Sequence, residues 1–253
     1  MEPTAAATAI ADPLGTVAGA TFYFSPQSVA RSAGIGIDVV TLYAAGRGAV
    51  LGDVTPDEVD EVFCFFRPGM IAGLVAAGRA TAPVPVLLAA HLRAADDFAL
   101  ATFGGIDGAT LTTFDAAAAA VVAGLPTGVW PLVDGYRAAP VPEAPAAAAF
   151  RRAIVLRELR GGVHREAVAV AGLTPAVACQ LDRGDDYFRL HGFGDDDRVV
   201  ETPSLRAARA AAEAATDARV GELLGVLDDS GLLALVEGAR AMDAAWQAPV
   251  AVT

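Results

Sequence analysis

Apolar residues recur at helical spacing along most of the chain, and proline and glycine punctuate the runs. Residues 1–12 read as frayed or helical with little to anchor them. From Leu14 the apolar positions run into Phe22-Tyr23-Phe24-Ser25-Pro26, where Ser25 as N-cap and Pro26 in the first turn predict a helix through Ala33. A break at Gly34–Gly36 precedes a second helix over 38–45, with Val39, Leu42 and Tyr43 on one face. Thr55, Pro56, Asp57 and Glu58 form the clearest start signal: a cap, a first-turn proline and two acids that complement the helix dipole. The helix they open should bury Val59, Val62, Phe63 and Phe66 and stop near Pro68. Further helices are expected over 70–77, 84–101 and 111–123.

Prolines at 126, 131, 140, 142 and 145, with no helical period between them, mark 126–145 as a linker and place a domain boundary there. Beyond it, a helix over 150–159 should end at Arg160-Gly161-Gly162. A short helical pair follows, over 166–171 and 175–181, around the turn Gly172-Leu173-Thr174. An acidic, irregular stretch over 182–197 then leads to two long helices, over 205–227 and 231–246. The expected fold is all-α, with two helical subdomains. Residues 1–145 form an aromatic-rich unit, and residues 146–253 a degenerate winged-helix-like unit closed by the two long helices.

Composition supports helices and narrows the chemistry. Of 253 residues, 54% are hydrophobic but only 7% aromatic, so much of the apolar character is alanine, the strongest helix former. Lysine and asparagine are absent, a bias expected of a GC-rich genome such as an actinobacterium's. Without lysine there is no side-chain Schiff base and no Walker-type phosphate cradle. The net charge is −12, with 14 acids against 6 arginines up to residue 145 and 16 against 12 after it. That balance opposes nucleic-acid binding, which relies on cations to neutralise phosphates. Cys64 and Cys179 lie 115 positions apart and form neither a zinc knuckle nor a redox CxxC motif, which suits a reduced, cytoplasmic protein. The N-terminus has no basic residue before Arg31, so it does not read as a secretory signal. The apolar stretch 116–133 is interrupted by Gly124, Pro126 and Pro131, which reads as helix plus loop, not a membrane span.

Three constellations carry candidate chemistry. The pair over 166–183 has the lengths of a helix-turn-helix, with 195–202 as an outgoing wing strand. Its second helix, however, offers only Thr174, Gln180 and Arg183 to base edges, followed by acids. Next, Arg157 and Arg160 lie three residues apart, and a helix end at Gly161-Gly162 would let His164 fold back toward them. Guanidinium groups beside an imidazole suit a carboxylate, enolate or phenolate, with His164 as acid or base; the plainer alternative is ion pairing with Glu158, Glu166 and nearby aspartates. Finally, Phe22, Tyr23, Phe24, Tyr43, Phe63, Phe65 and Phe66 concentrate the aromatics in the first part. They should be mostly core, but could also wall a pocket with Tyr23, Ser25, Tyr43 and Arg47 as polar contacts. His91 reads as a helix-surface or core histidine and His191 as part of a solvated acidic loop. No metal site is expected, no cofactor is legible, and GxSxG, GxGxxG and HExxH patterns are absent.

Several segments, in order, resemble a family of actinobacterial proteins known by helix-turn-helix or SalPR-like labels. They are TFYFSP (21–26), LYAAGRGAVLGDVTPDEV (42–59), FFRPGMIAGLV (65–75), LRELRGGVHREAV (156–168) followed by AGL, and AAEAATDARVGELL (211–224). The resemblance covers nearly the whole chain. Where the family pattern reads LREHRGDGH, this chain has Leu159, Gly162 and Val163 in place of histidine, aspartate and glycine, and it lacks the longer helical insert before the final stretch. Both departures weaken any DNA-reading role that the resemblance implies. The expectation is a small-molecule-binding protein of specialised metabolism, extending to a cofactor-independent cyclase, lyase or isomerase. Its catalytic residues would be His164, Arg157 and Tyr43, and its ligand contacts Tyr23, Ser25, Arg47, Phe66 and Arg160. The alternative is a ligand-responsive transcriptional regulator. The partner is a small molecule, not nucleic acid or a membrane, and a homo-oligomer is compatible with the sequence.

Overall fold

The computed structural model describes residues 1–248, all helix and connecting turn, with no strand among them. The chain opens with α1 (Pro3–Val17), α2 (Ala20–Tyr23), α3 (Pro26–Ala33) and α4 (Val39–Thr41). Helix α4 runs on through a π turn at Leu42–Gly46 and a 3-10 turn at Ala49–Leu51. Then come α5 (Pro56–Val62), α6 (Met70–Thr81), α7 (Val84–Phe103), α8 (Gly108–Gly124), α9 (Pro131–Ala138) and α10 (Pro145–Val170). Finally α11 (Pro175–Asp182), α12 (Asp185–Leu190), α13 (Pro203–Leu224) and α14 (Asp229–Gln247) close the described chain.

Local signals set many of these boundaries. Ser25 accepts from the Ser28 amide at 3.2 Å to cap α3, and Thr55 with Glu58 forms a reciprocal capping box on α5. Helix α5 stops earlier than expected, at Val62, and Phe63 closes it; Phe66 lies in the following turn. The N-terminal segment is not frayed: α1 buries Ala6, Ala7, Ile10, Leu14 and Val17 and packs on α13 and α14.

Helix α10 is the axis of the molecule. Ala146 to Phe150 and Ala153 to Leu156 are buried on successive faces, and α10 packs against α7, α8, α9 and α13. From Pro145 to Leu156 it is apolar except at Arg151 and Arg152, which suits the interior, and small alanines let its neighbours approach closely. Arg151 and Arg152 leave that core sideways to pair with Asp96 on α7 and Asp115 on α8.

Three expectations are corrected here. The stretch 126–145 contains α9, with Trp130, Leu132, Val133 and Tyr136 buried, and the main core cluster draws on residues from both sides of position 145. Helix α10 does not end at Gly161-Gly162. A side chain at Gly162 would place a Cβ 2.4 Å from Trp130 Cδ1, so this glycine admits the tryptophan ring and does not cap the helix. His164 therefore lies one turn past Arg160 on the same helix, not on a returning loop. The stretch 182–197 is also more regular than expected, holding α12 and a 3-10 turn at Asp195–Asp197, while 198–202 is extended but unpaired and forms no wing strand.

Candidate functional site

The sequence-selected residues fall into two clusters along α10's C-terminal half. The first is centred on Glu158, whose side chain is only 2% exposed. Arg47 binds it through both arms, with Nε to Oε1 at 2.9 Å and Nη2 to Oε2 at 2.6 Å. Arg157 donates to the same Oε1 at 3.0 Å, and the Tyr23 hydroxyl lies 3.4 Å from it. Tyr43 lies in the π turn four residues before Arg47, and the Arg47 Nη1 donates to the Tyr43 hydroxyl at 3.1 Å. The guanidinium also lies over Phe63, 4.2 Å from the ring centre.

Electrostatics hold this cluster fully ionised. Burial alone would raise the Glu158 carboxyl, but Arg47 and then Arg157 outweigh it and bring its pKa down to about 2. Burial pushes the Tyr23 phenol well up, so it remains a neutral donor. Two guanidinium groups against one carboxylate leave the cluster one positive charge in excess. Arg157 faces outward, with 30% of its side chain exposed.

A buried pair lies behind. His91 Nε2 is 2.6 Å from the Tyr136 hydroxyl, and its ring stacks beside Tyr23. Burial, reinforced by the charges of Arg151 and Arg47, lowers His91 to about 3, so it is neutral. It is a core histidine.

The second cluster faces α13. Arg160 donates to Glu213 at 2.8 Å and pairs with Asp217 at 2.9 Å, while Arg209 bridges Glu213 and Asp182. His164 Nδ1 is 3.0 Å from the Thr216 hydroxyl, which itself donates to the Ala212 carbonyl at 2.7 Å. With that hydroxyl proton committed, Nδ1 must carry the imidazole hydrogen, leaving the Nε2 lone pair 3.8 Å from Glu213. Burial lowers the pKa of His164. Its ring lines a cavity of about 70 Å3 with Phe65, Cys179, Asp182, Tyr187 and Arg209, room for water or a very small group.

Phe65 and Phe66 join the two clusters. The Phe65 ring stacks on His164 at 5.6 Å, and Phe66 lies between Tyr43, at 5.9 Å, and His191, at 4.5 Å. His191 is buried, not part of a solvated loop, and its carbonyl accepts from the Arg67 amide at 2.8 Å. The structure thus brings Tyr23, Tyr43, Arg47 and Arg157 together, sets Phe66 beside Tyr43, and places Arg160 and His164 in the α13 seam. Ser25 caps α3. Sequence reading missed Glu158 as the hub and Tyr136 as the partner of His91, and placed Phe63 in the core without its contact to Arg47. The legible signal was a carboxylate at a core position of α10, flanked by buried Ile154, Val155 and Leu159. Among the described residues no group of three or more His, Cys, Asp and Glu side chains is placed to hold a metal ion.

The end of α10, the turn at Gly172 and α11 form the helix-turn-helix. Val168, Leu173, Val177 and Ala178 pack it on Ala212 of α13. Thr174 caps α11 and Gln180 clamps the Val199 backbone at 2.8 and 3.0 Å, whereas Arg183, largely exposed, lies beside Asp182 and over Tyr187.

Fold and motif together define an all-helical protein carrying a wingless helix-turn-helix. The profile of the Helix-turn-helix family matches residues 7–190, most of the chain, and the protein belongs to that family. Comparison with curated proteins and with solved structures returned no match.

Proposed function

We propose that this chain is a small-molecule-binding protein whose ligand carries a negative charge and is met by Arg157. The observation behind this reading is the uncompensated charge of the Arg47–Glu158–Arg157 cluster. Glu158 neutralises one guanidinium, and Arg157, the outward one, makes its hydrogen bond among the described residues through Nη1 alone. Rigid, half-desolvated guanidinium groups bind carboxylate and phosphate oxygens well. The rings of Tyr43, Phe66 and His191 stand in a row beside the cluster, and the charge of Arg157 reaches His191. Extension to a cofactor-independent cyclase, lyase or isomerase rests on Tyr43 and on the Nε2 lone pair of His164 as proton-handling groups. A cytoplasmic, actinobacterial, SalPR-like protein fits the same reading.

Thermal unfolding with a panel of aromatic carboxylates, phenolates and phosphate esters, each beside its neutral analogue, tests the proposal. Anionic members should raise the midpoint of the native chain, and Arg157→Gln should abolish the rise. A rise that persists in the variant, or its absence across the panel at millimolar concentration, rejects the reading. Membership of the Helix-turn-helix family favours a second reading, a ligand-responsive transcriptional regulator.

A further inference from the structure

A groove separate from both clusters runs between α5 and α9, open to solvent along one side, with a volume of about 480 Å3, within the range of small-molecule sites. Its apolar walls are Val50, Leu51, Val54, Val62 and Pro131, of which the valines and the leucine are half-buried. Three carboxylates edge it, in different states. Asp134 is engaged, paired with Arg137 and accepting from the Gly128 amide at 2.7 Å. Glu58 spends one oxygen, Oε2, on the Thr55 amide and hydroxyl at 2.6 and 2.8 Å, and its Oε1 is uncommitted. Glu61, three residues on and on the same side of α5, enters no hydrogen bond or ion pair among the described residues. Arg79 is nearby but donates to the backbone carbonyls of Gly52 and Val54, not to the carboxylates.

A neutral apolar guest would strip water from Glu58 and Glu61 without replacing it, and an anion would be repelled. We propose that this groove binds a small organic cation, an alkylammonium compound whose ammonium group meets Glu61 and the outer oxygen of Glu58 while its hydrocarbon portion lies on Val54 and Val62. Its chemistry is opposite to that proposed at Arg157, and it shares no residue with that cluster, so the two readings stand or fall separately.

Hexylammonium and its uncharged counterpart 1-hexanol are the probes, titrated into the full chain by calorimetry and followed by valine methyl shifts. The amine should bind at least about tenfold more tightly than the alcohol, weaken as salt rises, and move the Val54 and Val62 methyl signals. Glu61 supports no structural contact, so Glu61→Gln should leave the fold and hexanol binding unchanged while weakening the amine about fivefold or more. Equal affinity for amine and alcohol, an unaffected Glu61→Gln variant, methyl shifts elsewhere, or no amine binding up to about 10 mM would each overturn the proposal.

Discussion

At the scale of single residues, Glu158 carries more consequence than any residue selected from sequence. It is buried between Arg47 and Arg157, and removing its charge would strand the Arg47 guanidinium, whose side chain is 8% exposed. Glu158→Gln should therefore cost about 3–5 kcal/mol of stability in urea unfolding, and replacing the pair by Arg47→Met with Glu158→Leu should recover much of it. A loss under about 1 kcal/mol would show the pair to be dispensable. Acid should unfold the protein, with His91 and Glu158 the largest contributors. His91 has a folded pKa of about 3 against an ordinary 6.5, so below 6.5 the unfolded chain takes up a proton that the fold refuses. Its contribution is complete above pH 6.5 and shrinks as pH falls toward 3. Glu158, at about 2 against 4.5, adds a loss of the same sign as pH falls from 4.5 toward 2. His164 and His191, both lowered by burial, act in the same direction as His91. His91→Gln should flatten the fall in urea midpoint between pH 6.5 and 4.5, and an unchanged slope would remove His91 from this account. Glu158 was visible in the sequence only as a partner for surface arginines, because a charged side chain gives no sign of its burial until the neighbouring helices are placed.

At the scale of elements, adjacent glycines in α10 behave oppositely. Gly161 has nothing within 4 Å of where a Cβ would lie, whereas Gly162 presses on Trp130. Gly161→Ala should stabilise by about 0.5–1 kcal/mol through helix propensity. Gly162→Ala should destabilise by about 1–3 kcal/mol through overpacking, despite the same gain in propensity. Chemical denaturation of both variants measures the contrast, and equal effects would refute the packing role. The glycine pair reads as a helix terminator from sequence because propensity is a local quantity, and here tertiary contact overrides it. Caps were more legible: Ser25 and Thr55 act within four residues of themselves, so nothing distant needs to be known. The π turn carrying Tyr43 left no local mark.

At the scale of the whole molecule, family membership and charge pull in different directions. The helix-turn-helix is present, but the chain carries a net charge of −12, and Thr174 and Gln180 are engaged within the chain, which leaves Arg183 as the exposed cation at the end of α11. A true DNA-binding protein would shift duplex DNA at low salt and lose affinity steeply as salt rises, by roughly a decade or more between 50 and 200 mM for several phosphate contacts. We expect no shift of GC-rich duplexes at 50 mM salt at micromolar protein. A salt-sensitive shift that Arg183→Ala weakens would instead establish the regulator reading. No single helix among the described residues is long and apolar enough to cross a membrane, and the apolar face of nearly every long helix is spent on a neighbour.

The sequence by itself determined the helical class, most helix starts, the helix-turn-helix and the absence of lysine chemistry, because periodicity, caps and composition act within a few residues. Only the tertiary structure decided which of those helices lies at the centre and which side chains meet. Arg47 and Glu158 are 111 positions apart, and His164 and Thr216 are 52 apart. Their pairing depends on how α10 packs between its neighbours, a property of summed non-local contacts that no short stretch of chain encodes.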